Sequence, residues 1–256
     1  MSHALPGPEP WWRGYFDEVF FRLHADLFPE EDSRVEVSAM RELLGLPCGA
    51  RVLDVPCGWG RHTLLLARAD HAAFGADISE PLLARAAAAA RTAVLPVRFA
   101  GADMRALPFR ARSFDAVLNV FTSLGLFLTD EEDGRVLREA LRVLRPGGAL
   151  LLESMHRDDV IADYAERDTW TLPDGTRVRV RRRFDPVAGV SRERLRWRSG
   201  DESGEKRHAL RLRTATEIDR LLRAAGFGPI EYFGDWDGSR LERRSPRLIA
   251  VARKPA

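Results

Sequence analysis

The chain has only two cysteines, Cys48 and Cys57, among 256 residues, too few for a framework of disulfide bonds. It has no apolar run approaching the roughly 20 residues that a membrane-spanning helix needs. Its first ten residues lack the basic and then apolar order of a secretory signal. These absences predict a cytoplasmic protein in a reducing environment with no membrane partner.

Lysine is scarce, since Lys206 and Lys254 are the only two among 40 basic residues. The 38 acidic residues bring the net charge to +2, whereas a nucleic-acid-binding protein usually has a larger basic excess. We therefore expect no nucleic-acid partner. The six histidines are scattered without the spacing of metal ligands, so no metal site is predicted.

From about residue 51 the sequence alternates between strand-like and helix-like segments. Arg51 to Pro56 predicts a strand, Gly60 to Ala69 a helix and Ala72 to Asp77 a second strand, and a fifth strand is predicted at Ala149 to Glu153. Such alternation builds a mostly parallel sheet with helices on both faces. It predicts a Rossmann-like α/β fold with its ligand site at the carboxyl ends of the strands.

Two segments depart from this alternation. Aromatic residues spaced three and four apart predict one helix over residues 11–30, and Ser33 with Glu36 predicts a capping box at the start of a second helix. Residues 169–213 alternate with period two and predict a small antiparallel β insertion. The predicted domains are an N-terminal helical cap at 1–46, a core at 47–153 and 214–256, and an inserted antiparallel lid at 154–213 over the active site.

The strongest functional signal lies where the first strand meets the first helix of the core. Gly58 and Gly60 form a Gly-x-Gly turn, in which glycine lets the backbone approach a ligand and the helix N-terminus favours negative charge. Asp77 ends the next strand, where a carboxylate can accept both hydroxyls of a ribose. Asp103 follows the third strand and could receive an adenine amino group. A dinucleotide site would have a third glycine where Thr63 stands, which disfavours that class.

In order and spacing, these motifs resemble those of the class I S-adenosylmethionine-dependent methyltransferases. The segment Cys57–His62 together with Phe121–Ser123 resembles a bacterial subgroup of them that acts on small molecules. The matching segments are Asp54–Gly60, Asp77–Ile78, Gly101–Met104, Ser113–Asn119 and Leu144–Gly148. The resemblance implies a seven-stranded sheet with an antiparallel last strand. It also implies S-adenosylmethionine as cofactor and S-adenosylhomocysteine as product. Pro56 departs from the family pattern, because proline removes one backbone donor there.

The resemblance also implies which residues bind the cofactor. Its amino-acid end would lie over Gly58 and Gly60 with Arg61 pairing its carboxylate, and its sulfonium would lie near Asn119 and the segment from Phe121 to Leu124. The complete predicted set is Asp54, Cys57, Gly58, Gly60, Arg61, Asp77, Ile78, Asp103, Met104, Asn119 and Phe121.

Methyl transfer from a sulfonium is an in-line displacement that needs an aligned nucleophile and exclusion of water. We expect His156, after the fifth strand, to be the general base, because imidazole titrates near neutrality. Trp236 could stack on a substrate amine that Asp235 or Asp237 holds. The complete set of predicted substrate residues is Tyr15, Phe20, Thr122, Ser123, Trp236 and Asp237.

The sequence thus predicts methyl transfer from S-adenosylmethionine to a nitrogen or oxygen of a small molecule. One alternative is an RNA or protein methyltransferase that uses the arginines of the insertion, among them Arg179 and Arg181. A second is a non-catalytic cofactor-binding module, and a nicotinamide oxidoreductase ranks last. The sequence leaves the oligomeric state open.

Overall fold

The computed structural model describes residues 10–256. Residues 1–9 lie outside the described residues; they include the start of the predicted cap and most of the segment in which we expect no secretory signal. The strands, in chain order, are β1 (Arg51–Asp54), β2 (Ala72–Asp77), β3 (Arg98–Gly101), β4 (Phe114–Asn119), β5 (Leu144–Met155), β6 (Arg167–Thr171), β7 (Arg177–Asp185), β8 (Val190–Ser199), β9 (Glu202–Arg211), β10 (Ile230–Phe233) and β11 (Arg247–Arg253).

The helices, in chain order, are α1 (Trp12–Tyr15), α2 (Glu18–His24), α3 (Glu30–Leu44), α4 (Arg61–Arg68), α5 (Glu80–Thr92), α6 (Asp130–Val143), α7 (Arg157–Ala162) and α8 (Ala215–Ala225). A 3₁₀ turn at Ala25–Leu27 follows α2. Within residues 10–256, none of these helices combines the length and the apolar character that crossing a bilayer requires.

The large sheet has the strand order β10-β11-β5-β4-β1-β2-β3. β11 pairs antiparallel with both of its neighbours, and the other neighbouring strands are parallel. This arrangement confirms the predicted Rossmann-like sheet of seven mostly parallel strands. The strand order reverses between β1 and β4, so a crevice for a ligand is expected at their carboxyl ends.

Helices cover both faces of the large sheet because successive side chains of its central strands point to opposite faces. On β5, Leu150 and Leu152 pack into one core cluster with residues of α6 and α8. Ala149 and Leu151 pack into a second cluster with residues of α3 and α4. All four of these β5 side chains are buried, which explains why the middle of the strand, Ala149–Leu152, is an unbroken apolar run.

The N-terminal segment differs from its prediction in two ways. The single helix predicted over residues 11–30 is wrong: α1 ends at Tyr15, and Asp17 begins α2 by accepting the N–H of Phe20 at 2.8 Å. The capping box predicted at Ser33 is also wrong, because α3 already begins at Glu30. Ser33 therefore lies inside the helix, and the carboxylate of Glu36 is free to bind elsewhere.

The strands β6 to β9 form a separate antiparallel sheet, which confirms the predicted β insertion. Its inner face contributes Val178, Val180 and Leu195 to a cluster that also contains Leu23 of α2. The end of β9 lies against the loop after β4, where a Cβ on Gly125 would be only 2.3 Å from a backbone oxygen of Arg211. The division of the chain into a cap, a core and a lid stays a prediction.

Candidate active site

A cavity of about 880 Å³ lies at the carboxyl ends of β1, β2 and β4. One part of its wall is the Gly-x-Gly turn with the ends of β2 and β3. Another part comes from α1, α2 and the inner face of the inserted sheet. The cavity therefore continues from the residues predicted to hold a nucleotide to a part lined by Trp11, Tyr15, Phe16 and Phe20, which we call the second chamber.

The turn between β1 and α4 has the backbone geometry that only glycine adopts readily. Gly58 and Gly60 have φ angles of +54° and +82°, in the left-handed region. Asp77 holds this turn: its Oδ2 accepts the N–H of Gly58 at 2.7 Å, and its Oδ1 accepts the N–H of Ser79 at 2.8 Å. Each of these oxygens keeps a further lone pair for a ligand hydroxyl. Burial raises the pKa of Asp77, and the two backbone N–H groups oppose that rise.

Two predicted cofactor residues are buried behind the turn and do not line the cavity. Asp54 accepts the hydroxyl of Thr63 at 2.6 Å through Oδ2, and Asn119 donates to the carbonyl of Val55 at 2.8 Å. Within the described part of the chain, Asp54 Oδ1 and Asn119 Oδ1 have no hydrogen-bond partner although both are buried. A buried acceptor that receives no hydrogen bond is costly. Burial raises the pKa of Asp54, and His62 is the largest opposing influence.

Gly60 also lies behind the surface of the cavity. A Cβ there would stand 3.0 Å from the Cβ of Ala86 on α5. The glycine thus allows the start of α4 to pack closely against α5. Cys57, Gly58 and Ile78, by contrast, line the cavity directly.

Asp103 and Met104 line the cavity beyond the end of β3. The Oδ1 of Asp103 accepts both the backbone N–H of Arg105 at 2.9 Å and its Nε–H at 3.0 Å. Arg105 in turn bonds Glu132 at 2.8 Å. Burial alone would raise the pKa of Asp103, but the bonds from Arg105 outweigh it and the pKa is lowered. Asp103 is therefore an oriented, ionised acceptor, and our sequence reasoning missed the arginine that orients it.

Arg61 lines the cavity, but its guanidinium already has partners in the protein. It pairs with Glu36, donates to Ser33 Oγ at 3.1 Å and lies 5.0 Å from the ring centroid of Phe28. His62 Nε2 also bonds Glu36 at 2.7 Å. The predicted pairing of Arg61 with a cofactor carboxylate stays a prediction. The sequence predicted Glu36 as part of a helix cap, whereas in the structure its carboxylate holds Arg61 beside the cavity.

The loop after β4 has a strained backbone at the cavity wall. Phe121 and Thr122 have φ angles of +61° and +54°, which residues other than glycine rarely adopt. Glu153 of β5 holds the loop: its Oε2 accepts the N–H of Phe121 at 2.6 Å, and its backbone carbonyl accepts the N–H of Thr122 at 3.1 Å. Arg247 donates to Oε1 of the same carboxylate at 3.0 Å. Neither Glu153 nor Arg247 carried a motif signal, because their partners are distant in sequence.

The structure brings four of the six predicted substrate residues to the cavity wall, namely Tyr15, Phe20, Thr122 and Ser123. Trp236 packs instead among the partly buried residues on the α3 face of the sheet. Asp237 accepts the N–H of Ser239 within its own exposed loop at 2.8 Å. Neither Trp236 nor Asp237 lines the cavity, so their predicted roles gain no support from their positions.

The predicted general base, His156, also lies away from the cavity wall. Its ring is buried, with Nδ1 3.1 Å from the carbonyl oxygen of Ser245 and Nε2 3.9 Å from Asp158 Oδ2. Its predicted catalytic role gains no support from this placement.

Comparison with known proteins agrees with this geometry. Residues 52–148 match a family model described as a methyltransferase domain. A putative methyltransferase of Bacillus subtilis, YqeM, is 26% identical over 214 residues, which is 82% of this chain and 86% of that protein. Residues 52–148 therefore form a methyltransferase domain. Two solved structures share the fold of this chain.

The CcbJ methyltransferase of Streptomyces caelestis superposes with a TM-score of 0.81 at 20% identity, over 95% of this chain and 99% of that one. CalS10 of Micromonospora echinaspora, described as an amino pentose methyltransferase with S-adenosylmethionine bound, has a TM-score of 0.71 at 24% identity, over 99% of this chain and 100% of that one. When bound, S-adenosylmethionine supplies an electrophilic methyl group on a positively charged sulfur. Three features of the cavity wall fit such a group. The turn at Gly58 lets a ligand approach the backbone, and hydrogen bonds orient the carboxylates of Asp77 and Asp103 in the same cavity.

Proposed function

We propose that this methyltransferase transfers its methyl group to a nitrogen or oxygen of a small molecule held in the second chamber of the cavity. The observation that carries the proposal is the continuity of one cavity of about 880 Å³ from Gly58 to the inserted sheet. That volume is within the range of small-molecule and cofactor sites. An acceptor in the second chamber would face the cofactor and be covered by protein on several sides.

The side chains of the cap and the insertion would exclude water from this chamber. Trp11, Tyr15, Phe16 and Phe20 line its wall, and their rings pack against one another with centroids 5.0 to 6.2 Å apart. Excluding water strengthens the electrostatic interactions of a bound acceptor and prevents hydrolysis of the methyl donor. Asp77 and Asp103 would orient the cofactor, while the aromatic wall would align the acceptor.

The arginines of the insertion favour a small acceptor over RNA. Arg179 and Arg181 are exposed, whereas Val178 and Val180 of the same strand are buried on the side that packs against α2. Neighbouring residues of a strand point to opposite faces, so these arginines lie on the face turned away from the cavity. An amine acceptor is also supported by the neighbour CalS10, which is described as acting on an amino pentose.

The test is transfer of a labelled methyl group from S-adenosylmethionine to a panel of small amines and alcohols, beside total RNA and denatured protein. We expect label in small molecules, with no loss when Arg179 and Arg181 are both replaced by glutamate. Label in RNA or protein alone, abolished by that charge reversal, would overturn the proposal. Tight cofactor binding without transfer to any acceptor would also overturn it.

A further inference from the structure

Three polar residues form a row across the inserted sheet at the wall of the second chamber. Arg182 of β7 is paired in register with Glu193 of β8, and Glu193 with His208 of β9. Directly paired residues of antiparallel strands lie side by side on the same face. All three line the cavity, as do Asp168 and Ser191 of the same sheet.

Hydrogen bonds and ion pairs connect the row. Arg182 Nε donates to Glu193 Oε2 at 2.6 Å, and Glu193 Oε1 lies 3.6 Å from Nδ1 of His208. The same Nδ1 lies 3.0 Å from the hydroxyl oxygen of Tyr15 on α1. In the tautomer with its proton on Nδ1, the ring donates towards the Tyr15 hydroxyl oxygen and the Glu193 carboxylate, and the lone pair lies on Nε2. Nε2 of His208 makes no hydrogen bond to any residue from 10 to 256.

The row is connected to the cofactor side of the cavity by contacts of the N-terminal cap. Ser79, two residues after Asp77, donates its hydroxyl to the carbonyl of Phe16 at 2.5 Å. The neighbouring residue Tyr15 is the one that contacts His208. A short series of contacts thus links the end of β2 to the imidazole of β9.

We propose that Nε2 of His208 accepts the proton of the methyl acceptor, with Glu193 as its positioning residue; this assignment rests on the proposed function. As the acceptor nitrogen or oxygen forms its bond to the methyl carbon, the carbon–sulfur bond breaks and its electron pair stays on sulfur. The proton of the acceptor N–H or O–H passes to Nε2. The resulting imidazolium is stabilised by the carboxylate of Glu193, which Arg182 holds in place, and it returns the proton to solvent.

The surroundings of His208 keep its imidazole in the neutral form that a base requires. Burial lowers the pKa of His208, Glu193 opposes this effect, and His24 and Arg182 lower the pKa further. The ring is still accessible from the cavity, since 23% of the side chain is exposed. Charged and titratable groups surround the ring on several elements. They are Tyr15 of α1, His24 of α2, Arg182 of β7, Glu193 of β8 and Lys206 of β9. Lys206 donates to the carbonyl of Tyr15.

The test compares His208→Gln with His71→Gln. His71 is a buried histidine that directly precedes β2, at the end of the strand away from the cavity, so its replacement is a matched control. With an acceptor found in the labelling panel, we expect His208→Gln to lower kcat at least about 100-fold. Its affinity for S-adenosylhomocysteine in calorimetry should stay within about threefold of wild type, which also shows that it folds. His71→Gln should keep both properties.

A second readout does not depend on turnover. NMR titration of the histidine rings, with the signal of His208 assigned from its loss in His208→Gln, should show the imidazole titrating at lower pH in Glu193→Gln than in wild type, because a stabilising negative charge is gone. The acid limb of kcat/KM for one acceptor should move to lower pH by the same amount.

If His208→Gln keeps kcat within about threefold of His71→Gln, the assignment is overturned, even if the wild type is an active small-molecule methyltransferase. It is equally overturned if the acid limb does not follow the NMR titration. If the wild type methylates no small acceptor at all, the proposed function fails, and this assignment fails with it.

Discussion

The carboxylate of Asp77 accepts the backbone N–H of Gly58 across the gap between two neighbouring strands, with 2.7 Å between Oδ2 and nitrogen. This bond fixes the Gly-x-Gly turn relative to the residue expected to hold a ribose. The two most diagnostic motifs of the sequence are therefore one structural unit. A change at Asp77 should act on both the charge and the shape of the cofactor site.

Replacing Asp77 with asparagine should weaken binding of S-adenosylhomocysteine by about 1–3 kcal/mol, which is roughly 5- to 150-fold in the dissociation constant. The amide removes the negative charge and one of the two oxygens that accept backbone N–H groups. Isothermal calorimetry measures the effect directly. Asp201→Asn, in an exposed hairpin turn, is the control and should leave the affinity unchanged. Equal affinities for the two variants would count against the role of Asp77.

The acid stability of the protein should depend on Glu36. Burial alone would raise the pKa of Glu36, but the hydrogen bond with His62 and the charge of Arg61 outweigh burial and lower the pKa from 4.5 to about 2. A carboxylate with a depressed pKa stabilises the fold fully above its unfolded pKa, and this stabilisation is lost as the pH falls from 4.5 towards 2. We expect it to amount to about 2 to 3 kcal/mol.

Urea unfolding of Glu36→Gln and wild type at several pH values tests this expectation. The variant should be less stable at pH 6, and the difference should shrink as the pH falls below 4.5. Glu31→Gln, an exposed change in the first turn of the same helix, should show no such dependence. A difference between Glu36→Gln and wild type that stays constant from pH 6 to pH 3 would contradict the account.

The inserted sheet should depend on a buried ion pair for its attachment to the core. Arg213, two residues after β9, donates to Asp133 of α6 at 2.9 and 2.5 Å, and their side chains are 1% and 0% exposed. Arg213→Met leaves the carboxylate of Asp133 buried without its charge partner. We expect a loss of about 3–5 kcal/mol in the free energy of unfolding. Urea unfolding that gives the same stability for Arg213→Met and for the exposed change Arg220→Met would show that the pair does not stabilise the fold.

The sequence and the structure point to different histidines as the base. Replacing His156 with glutamine should leave the pH dependence of kcat/KM unchanged, because its buried ring bonds the carbonyl of Ser245 and does not line the cavity. Steady-state kinetics over pH 5 to 9 decide the point. A large fall in kcat with a lost acid limb would restore the sequence-based prediction and remove the role of His208.

The fold of the core could be predicted because its signals are local. Most of its strands contain a short apolar run, its crossover helices follow turn or capping signals, and the Gly-x-Gly turn lies directly between a strand and a helix. The N-terminal segment was harder. Its aromatic spacing is helical, but Asp17 caps a new helix in the middle of the predicted one. Ser33 and Glu36 have capping-box spacing, but Pro29 already precedes the first turn of the helix.

The site could be predicted only in part, for a similar physical reason. Asp77, Asp103 and Gly58 follow the ends of strands, so their positions follow from the topology. Glu36, Glu153 and Glu193 act on partners that are 25, 32 and 15 residues away, and no spacing rule connects them. The row across the inserted sheet depends on strand register, which the sequence of the insertion did not specify.

The most direct test of the account is a crystal structure of the protein with S-adenosylhomocysteine. We predict that the ribose hydroxyls lie on Asp77, that the amino-acid end lies over Gly58, and that the sulfur faces the chamber containing His208. Crystals grown with millimolar S-adenosylhomocysteine that leave this turn empty, or that hold the ligand with its sulfur facing away from the inserted sheet, would contradict the account.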